Sequence, residues 1–209
     1  MRFCANVIVE SFKLDRMQVY RGLDSCTSMG RPVVAVGSFD GVHLGHRQIL
    51  QRLVFCARER GVQSVVVTFD PHPQQVLRPG SDFFTINPLH RNLELIAAEG
   101  VDAAVIEPFT LDFSRLTYAE FVEEYLIGRL HASALVMGPN HALGHDRAGN
   151  HERIRELFEK HQVEVLEIPE LTFREIGVHS SNIRNAIKND DEALASELLG
   201  YPYKINRNQ

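Results

Sequence analysis

Residues 33–60 read VVAVGSFDGVHLGHRQILQRLVFCARER, and the succession of textures in this stretch sets the fold class. Val33 to Gly37 is a β-branched run ended by glycine, which suits a strand buried on both faces. From Gly45 to Arg60 the apolar residues Ile49, Leu50, Leu53, Val54 and Ala57 recur at helical spacing, and Gly61 stops the run. Ser64 to Phe69 (SVVVTF) is a second buried strand, broken by Pro71 and Pro73. A strand, a helix and another buried strand with short connections make one unit of a parallel sheet.

The same alternation continues outward. Pro88 to Glu99 reads as a helix with Leu89, Leu93 and Ile96 on one face and Gly100 as its stop. Ala103 to Ile106 reads as a third strand. Thr117 opens the next helix, with Glu120 in capping-box spacing, and that helix runs to about Leu130. Ser133 to Gly138 is a fourth strand, followed by a glycine-rich loop from Pro139 to Gly149. His151 to His161 looks helical, Val163 to Ile168 and Phe173 to Val178 look like strands, and Ser180 to Lys188 and Asp191 to Leu199 like two short helices. The pattern predicts an α/β fold, a mainly parallel sheet with helices on both faces. Ligands in such sheets bind beyond the carboxyl ends of the strands, so chemistry is expected just after Gly37, Phe69, Gly138 and Val178.

The chain has 209 residues, enough for one large domain that folds without metal or disulfide staples. Its net charge of −5 argues against a general nucleic-acid binder, which needs a basic face. Three cysteines, Cys4, Cys26 and Cys56, cannot all pair with one another and fit a reducing cytoplasm. No apolar run approaches the ~20 residues that span a membrane. Residues 1–16 read as a leader or an extra edge strand, with Ala5 to Val9 as the apolar part.

Ten residues carry the most chemistry: Gly37-Ser38-Phe39-Asp40-Gly41-Val42-His43-Leu44-Gly45-His46. The three glycines leave backbone N–H groups open to a ligand, and the helix that follows offers its positive end to anions. His43 and His46 are three apart and share a face if the first turn is helical. Two imidazoles there can donate to phosphate oxygens and stabilise charge on a leaving group. A zinc pair is the competing reading, but it would have to recruit Asp40 and His72 as further ligands. Glycines spaced every four residues are not the dinucleotide fingerprint. An alanine at His46 is expected to leave folding almost untouched, because a helix start reads as exposed.

GSFDGVHLGH resembles the signature of the bacterial FAD synthetase (FMN adenylyltransferase) module of bifunctional riboflavin kinase/FAD synthetases, in the HxGH nucleotidyltransferase superfamily. The resemblance continues through MQVYRG at Met17 to Gly22 and TFDPHP at Thr68 to Pro73. It runs on through GVDAAVIEPFTLDFSRLTYAEFVEEYL at Gly100 to Leu126, GPNHALGHDRAG from Gly138 and HSSNIRNAI at His179 to Ile187. It implies a Rossmann-like nucleotidyltransferase fold over residues 17–203, with 204–209 as a tail. It also implies adenylyl transfer from ATP to FMN, giving FAD and pyrophosphate, with magnesium accompanying ATP.

By resemblance, Gly37, Ser38, Phe39, Asp40, Gly41, His43, His46, Gly138, Asn140, Ser181 and Arg184 would bind ATP. His43, His46, Ser180, Ser181 and Arg184 would be catalytic. Phe69, Asp70, Pro71, His72, Pro73, Phe109, Asn140 and His141 would face the flavin. Phe109 and Phe113 read more readily as core packing than as flavin contacts, whereas Ser180 and Ser181, which could be a helix cap alone, read with Arg184 as a phosphate grip. No protein ligand set for a metal is expected.

The sequence departs from that family at three places. His141 and Leu143 stand where aromatic residues are usual, so a smaller and more polar flavin contact is implied. His179 replaces the first serine of the Ser-Ser-Thr/Ser run. Leu199 to Tyr203 (LGYPY) resembles the linker to a kinase barrel, and six residues later the sequence ends, so riboflavin phosphorylation is not expected. Two alternatives follow: a related nucleotidyltransferase with another phosphorylated acceptor, and a nucleotide- or flavin-binding protein without turnover.

Overall fold

The computed structural model describes residues 12–14, 16–26, 29–139, 144 and 151–204. Ala5 to Val9 and residues 140–143 lie outside them. The elements in chain order begin β1 (Phe12–Leu14), β2 (Met17–Arg21), β3 (Val33–Val36), α1 (Leu44–Arg60), β4 (Ser64–Phe69), α2 (Pro73–Leu77), α3 (Leu89–Ala98) and β5 (Ala103–Glu107). There follow α4 (Tyr118–Glu120), which continues as a π-helix over Phe121–Arg129, then β6 (Ala134–Met137), α5 (His151–Lys160) and β7 (Glu164–Glu167). The chain closes with β8 (Thr172–Phe173), β9 (Ile176–Gly177), α6 (Ser180–Lys188) and α7 (Glu192–Leu199).

Seven strands form one sheet in the order β1-β2-β5-β4-β3-β6-β7. All neighbours are parallel except β1, which pairs antiparallel with β2 at the edge. Alternate residues of β3 serve two cores. Val34 and Val36 pack with Phe121, Leu126, Ile154 and Phe158 under α4, its π continuation and α5. Val33 and Ala35 pack with Leu50, Leu53, Leu93 and Ile96 under α1 and α3. A strand apolar on both sides is stable only between two such layers, and this is what the continuous β-branched run encodes. The α/β expectation, with helices on both faces, is borne out.

Three local features differ from the sequence reading. Met17–Arg21 is a sheet strand, although Gln18, Tyr20 and Arg21 make it too polar to read as one. The Phe173–Val178 segment is a tight hairpin rather than a single strand, because Arg174 and Glu175 both take positive φ (47° and 65°) and turn the chain back. The Thr117 helix starts with the expected capping box but widens into π geometry. Gly128 permits the widening: a Cβ there would stand 3.0 Å from the Glu123 carbonyl oxygen.

A third core lies past the carboxyl ends of the strands. Ile183, Ile187, Ala195, Leu198 and Leu199 of α6 and α7 close over Ile86 and Val178. This fixes the start of α6 beside the start of α1.

Candidate active site

The chain leaves β3 for β4 on one side and later returns to β6 on the other. This reversal parts the connections after β3 and β6 and opens a crevice, the place where such sheets bind ligands. A cleft of about 230 Å³ lies there, lined by Gly37, Ser38, Phe39, His43, His46, Gly138 and Ser180. Ile49, Ile168, Leu171 and Val178 make up the apolar part of its lining. Leu171 and Val178 flank the β8–β9 hairpin, and the Val178 N–H donates to the Leu171 carbonyl at 2.9 Å.

The turn from Phe39 to Val42 is strained. Phe39 (φ 45°) and Val42 (φ 39°) sit in the left-handed region, at a cost of about 1–2 kcal/mol each. Gly41 (φ 83°) also needs the absence of a Cβ, which would stand 3.1 Å from Ile86 and Leu199. Side chains from elsewhere hold the turn. The Asp40 carboxylate accepts from the Ile86 N–H at 2.9 Å and from Arg184 Nη1 at 2.6 Å. Oδ1 of Asn92 accepts the Gly41 N–H at 3.2 Å.

His43 ends the turn as the N-cap of α1. Its Nδ1 accepts the His46 N–H at 3.2 Å, so its neutral ring carries the proton on Nε2. The His46 ring stacks on it with centroids 3.6 Å apart, and Phe39 packs against His46 at 5.2 Å. Burial, then the charges of His46, His179 and Arg184, hold His43 well below the ordinary imidazole range. Burial, then His179, pushes His46 down to about 3. Both rings are therefore neutral at pH 7. Gly45 lets Val178 close on the helix start, since a Cβ there would stand 3.1 Å from its carbonyl oxygen.

His46 is half-buried, and its Nδ1 is shut off without a hydrogen-bond partner. This corrects the expectation of an exposed helix start. It also gives a pH prediction. His46 and His72, the latter pushed to about 4 by burial and Arg184, refuse protons that the unfolded chain binds near 6.5. Their contribution to stability is complete above 6.5 and is lost as pH falls toward those lower values. The melting temperature of the ligand-free protein should fall as pH drops through this window, and His46→Ala should make the fall shallower. Equal slopes for the two proteins in differential scanning calorimetry would contradict the buried neutral ring.

The other sequence-derived residues divide into groups. Asp40 is 1% exposed and its oxygens are committed, so it stands behind the turn rather than in the cleft. Ser180 lines the cleft and its hydroxyl donates to the Asp40 carbonyl at 3.0 Å. Ser181 and Arg184 line a second depression with Gln74, Arg78, Phe83 and Lys188.

Arg184 and His72 both face the Phe83 ring, at 4.7 and 4.6 Å. His72 also caps α2 by accepting the Gln74 N–H at 3.1 Å, with Pro73 as the first helical residue. Phe69 and Phe109 meet edge-on at 5.6 Å and join Phe113, away from the first cleft. Asp70–Pro71 is a cis peptide leading into α2. Asn140 and His141 lie outside the described residues. Sequence reasoning missed Phe83 and the apolar lining, which have no local signature, and it treated His179 only as a departure. That ring lines the cleft, with Nε2 2.6 Å from Oε1 of Glu170.

Residues 26–182 match the FAD synthetase family. The chain belongs to that family. It is 36% identical over 174 residues to a bifunctional riboflavin kinase/FMN adenylyltransferase of Listeria monocytogenes, covering 82% of this chain and 54% of that protein. It is 35% identical to the Pseudomonas fluorescens protein of the same name, covering 90% and 61%. A relative from Buchnera aphidicola is 29% identical and is likewise covered over 61% of its length. The chain thus spans somewhat more than half the length of these relatives.

Among solved structures it is similar to a Streptococcus pneumoniae chain titled a macrolide-efflux protein, with TM-score 0.79, 26% identity, and 88% and 61% of the two chains covered. No helix among the described residues here is long and apolar enough to cross a membrane. Pantothenate synthetase from Thermus thermophilus is similar in fold, with TM-score 0.50 and 15% identity over 87% of this chain and 80% of that one. Family membership bears out the resemblance carried by GSFDGVHLGH and the later motifs.

Proposed function

We propose that this member of the FAD synthetase family transfers the adenylyl group of ATP to FMN, giving FAD and pyrophosphate. The observation that carries this is the stacked His43–His46 pair at the head of α1, inside a switch-point cleft whose lining also includes apolar side chains. The apolar lining suits a purine, and the imidazoles at the helix start suit a triphosphate. A phosphate oxygen of FMN attacks the α-phosphorus. The bond from that phosphorus to the bridging oxygen breaks, and pyrophosphate leaves with the electron pair. In this reading Nε2–H of His43 donates to phosphate oxygens as charge shifts onto the leaving group. No covalent enzyme intermediate is required, so the protein contributes position and electrostatics.

Arg78, Arg184 and Lys188, the last two paired with Asp40 and Asp82, leave the second depression net basic, and with the Ser181 hydroxyl it suits a second phosphate. Among the described residues no group of three or more His, Cys, Asp or Glu side chains converges as a metal cage. Magnesium therefore belongs to this reading as part of the ATP complex, on phosphate and water ligands.

The deciding assay is incubation with ATP, magnesium and FMN, followed by chromatography for FAD. Pyrophosphate release with other phosphorylated acceptors but not with FMN would favour the related transferase. A calorimetric titration probes the flavin side. With His141 and Leu143 in place of aromatic residues, FMN should bind weakly alone and more tightly beside a non-hydrolysable ATP analogue. His141→Phe/Leu143→Phe should tighten it by up to about tenfold per aromatic contact. Tight FMN binding without nucleotide would overturn that expectation.

A further inference from the structure

The strained turn at Gly41 is gripped by a polar chain that reaches it from the C-terminal end of the described structure. The Tyr201 hydroxyl donates to the Gly41 carbonyl at 2.6 Å and accepts from Nδ2 of Asn87 at 2.8 Å. The same Asn87 amide donates to Oδ1 of Asn92 at 3.2 Å, and that oxygen also accepts the Gly41 N–H at 3.2 Å. Side chains thus satisfy both backbone groups of one residue.

Gly41, Asn87 and Asn92 are buried, so a group left unpaired there has no water to replace its partner. The Arg47 guanidinium of α1 lies over the Tyr201 ring, 5.7 Å from its centroid. Burial pushes the Tyr201 phenol up, so it stays a donor throughout the neutral range. Tyr201 follows the Gly200 cap of α7 and lies beyond residue 182, where the family match ends.

We propose that Tyr201 is a positioning residue for the nucleotide site: its hydroxyl, backed by Asn87 and Asn92, holds the Gly41 carbonyl and so sets the turn that presents Ser38, Phe39 and His43 to ATP. Phe39 and Val42, on either side of the Asp40–Gly41 pair, sit in the left-handed region and do not hold that shape by their own preference. The grip comes from the segment that leaves α7. Movement of residues 200–203 is thereby linked to ATP affinity and not to the flavin side. This inference rests on the adenylyl-transfer reading for its kinetics.

The test is Tyr201→Phe in the full chain, with magnesium present. The Michaelis constant for ATP and the Kd for magnesium–ATP should both rise about tenfold, the size of one lost buried hydrogen bond, and the Michaelis constant for FMN should not change. Saturating ATP should restore most of kcat. Amide hydrogen exchange over residues 39–46 should speed up while that of α7 does not. Tyr203→Phe is the control, because its hydroxyl is 3.5 Å from the Ile86 carbonyl, too long for a strong bond. Should Tyr201→Phe be insoluble, Asn87→Ala should give the same pattern at about threefold.

A lowered melting temperature with unchanged ATP affinity and unchanged exchange at 39–46 would show a merely structural tyrosine and overturn the proposal. If the wild type makes no FAD, the reading of the reaction fails. Magnesium–ATP affinity and hydrogen exchange then still decide the role of Tyr201.

Discussion

His46→Ala should lower the rate of FAD formation by about 10²–10³-fold, the loss that follows removal of one preorganised donor to developing charge. The reason lies in the stack. His46 lies 3.6 Å from His43 and is pressed by Phe39, so its removal takes away one imidazole and loosens the ring that caps α1. Phosphate donors act strongly only where water is excluded and nothing must reorganise. Stability at pH 7 should change modestly, because the alanine also deletes a buried nitrogen that has no partner. Single-turnover measurement with saturating ATP and FMN checks the prediction. A wild-type rate would remove His46 from the reaction.

Asp40→Ala should be the most damaging change to the fold. The carboxylate is 1% exposed and receives the Ile86 N–H, the Asn87 N–H and the Arg184 guanidinium. Burial pushes its carboxyl above the ordinary carboxylate range, and the Ile86 N–H and Arg184 offset part of that push. Alanine would orphan all three donors. The expected loss is about 3 kcal/mol, the low end for breaking a buried pair, because the Arg184 side chain retains 17% exposure. For a chain of this size that is a drop in Tm of roughly 6–12 °C. Asp40→Asn keeps an acceptor for Ile86 and should lose less. Denaturant unfolding of both variants at pH 7 measures the difference. Equal stability of the wild type and Asp40→Ala would show that the Arg184 pair is dispensable.

The two residues show how far sequence can be read at this site. His43 and His46 were legible because a helix start three residues deep gives spacing a direct spatial meaning. Asp40 was legible only as a polar residue among phosphate-binding neighbours. Its carboxylate turns away from the cleft because Ile86 and Arg184, 46 and 144 residues away, offer it donors. Ser180 and Ser181 are adjacent in sequence, yet they face different depressions on either side of the start of α6.

What the sequence determined by itself is whatever depends on local order. Buried strands declare themselves through β-branched runs, helices through spacing, and stops through glycine at Gly61 and Gly200, which adopt φ of 64° and 76°. With the order of those elements, the parallel sheet and the carboxyl-end location of the site follow. Tertiary structure alone decided which strand ends become neighbours. β3 lies between β4 and β6, and only that placement brings Gly37 and Gly138 to one cleft. It also decided the strand at Met17–Arg21, whose polar residues are tolerated because β5 and β1 satisfy its backbone from both sides. Tyr201 belongs to the same category. A hydroxyl bonded across 160 residues to the Gly41 carbonyl leaves no periodic or local trace, because its energy comes from a partner that only the closed fold supplies.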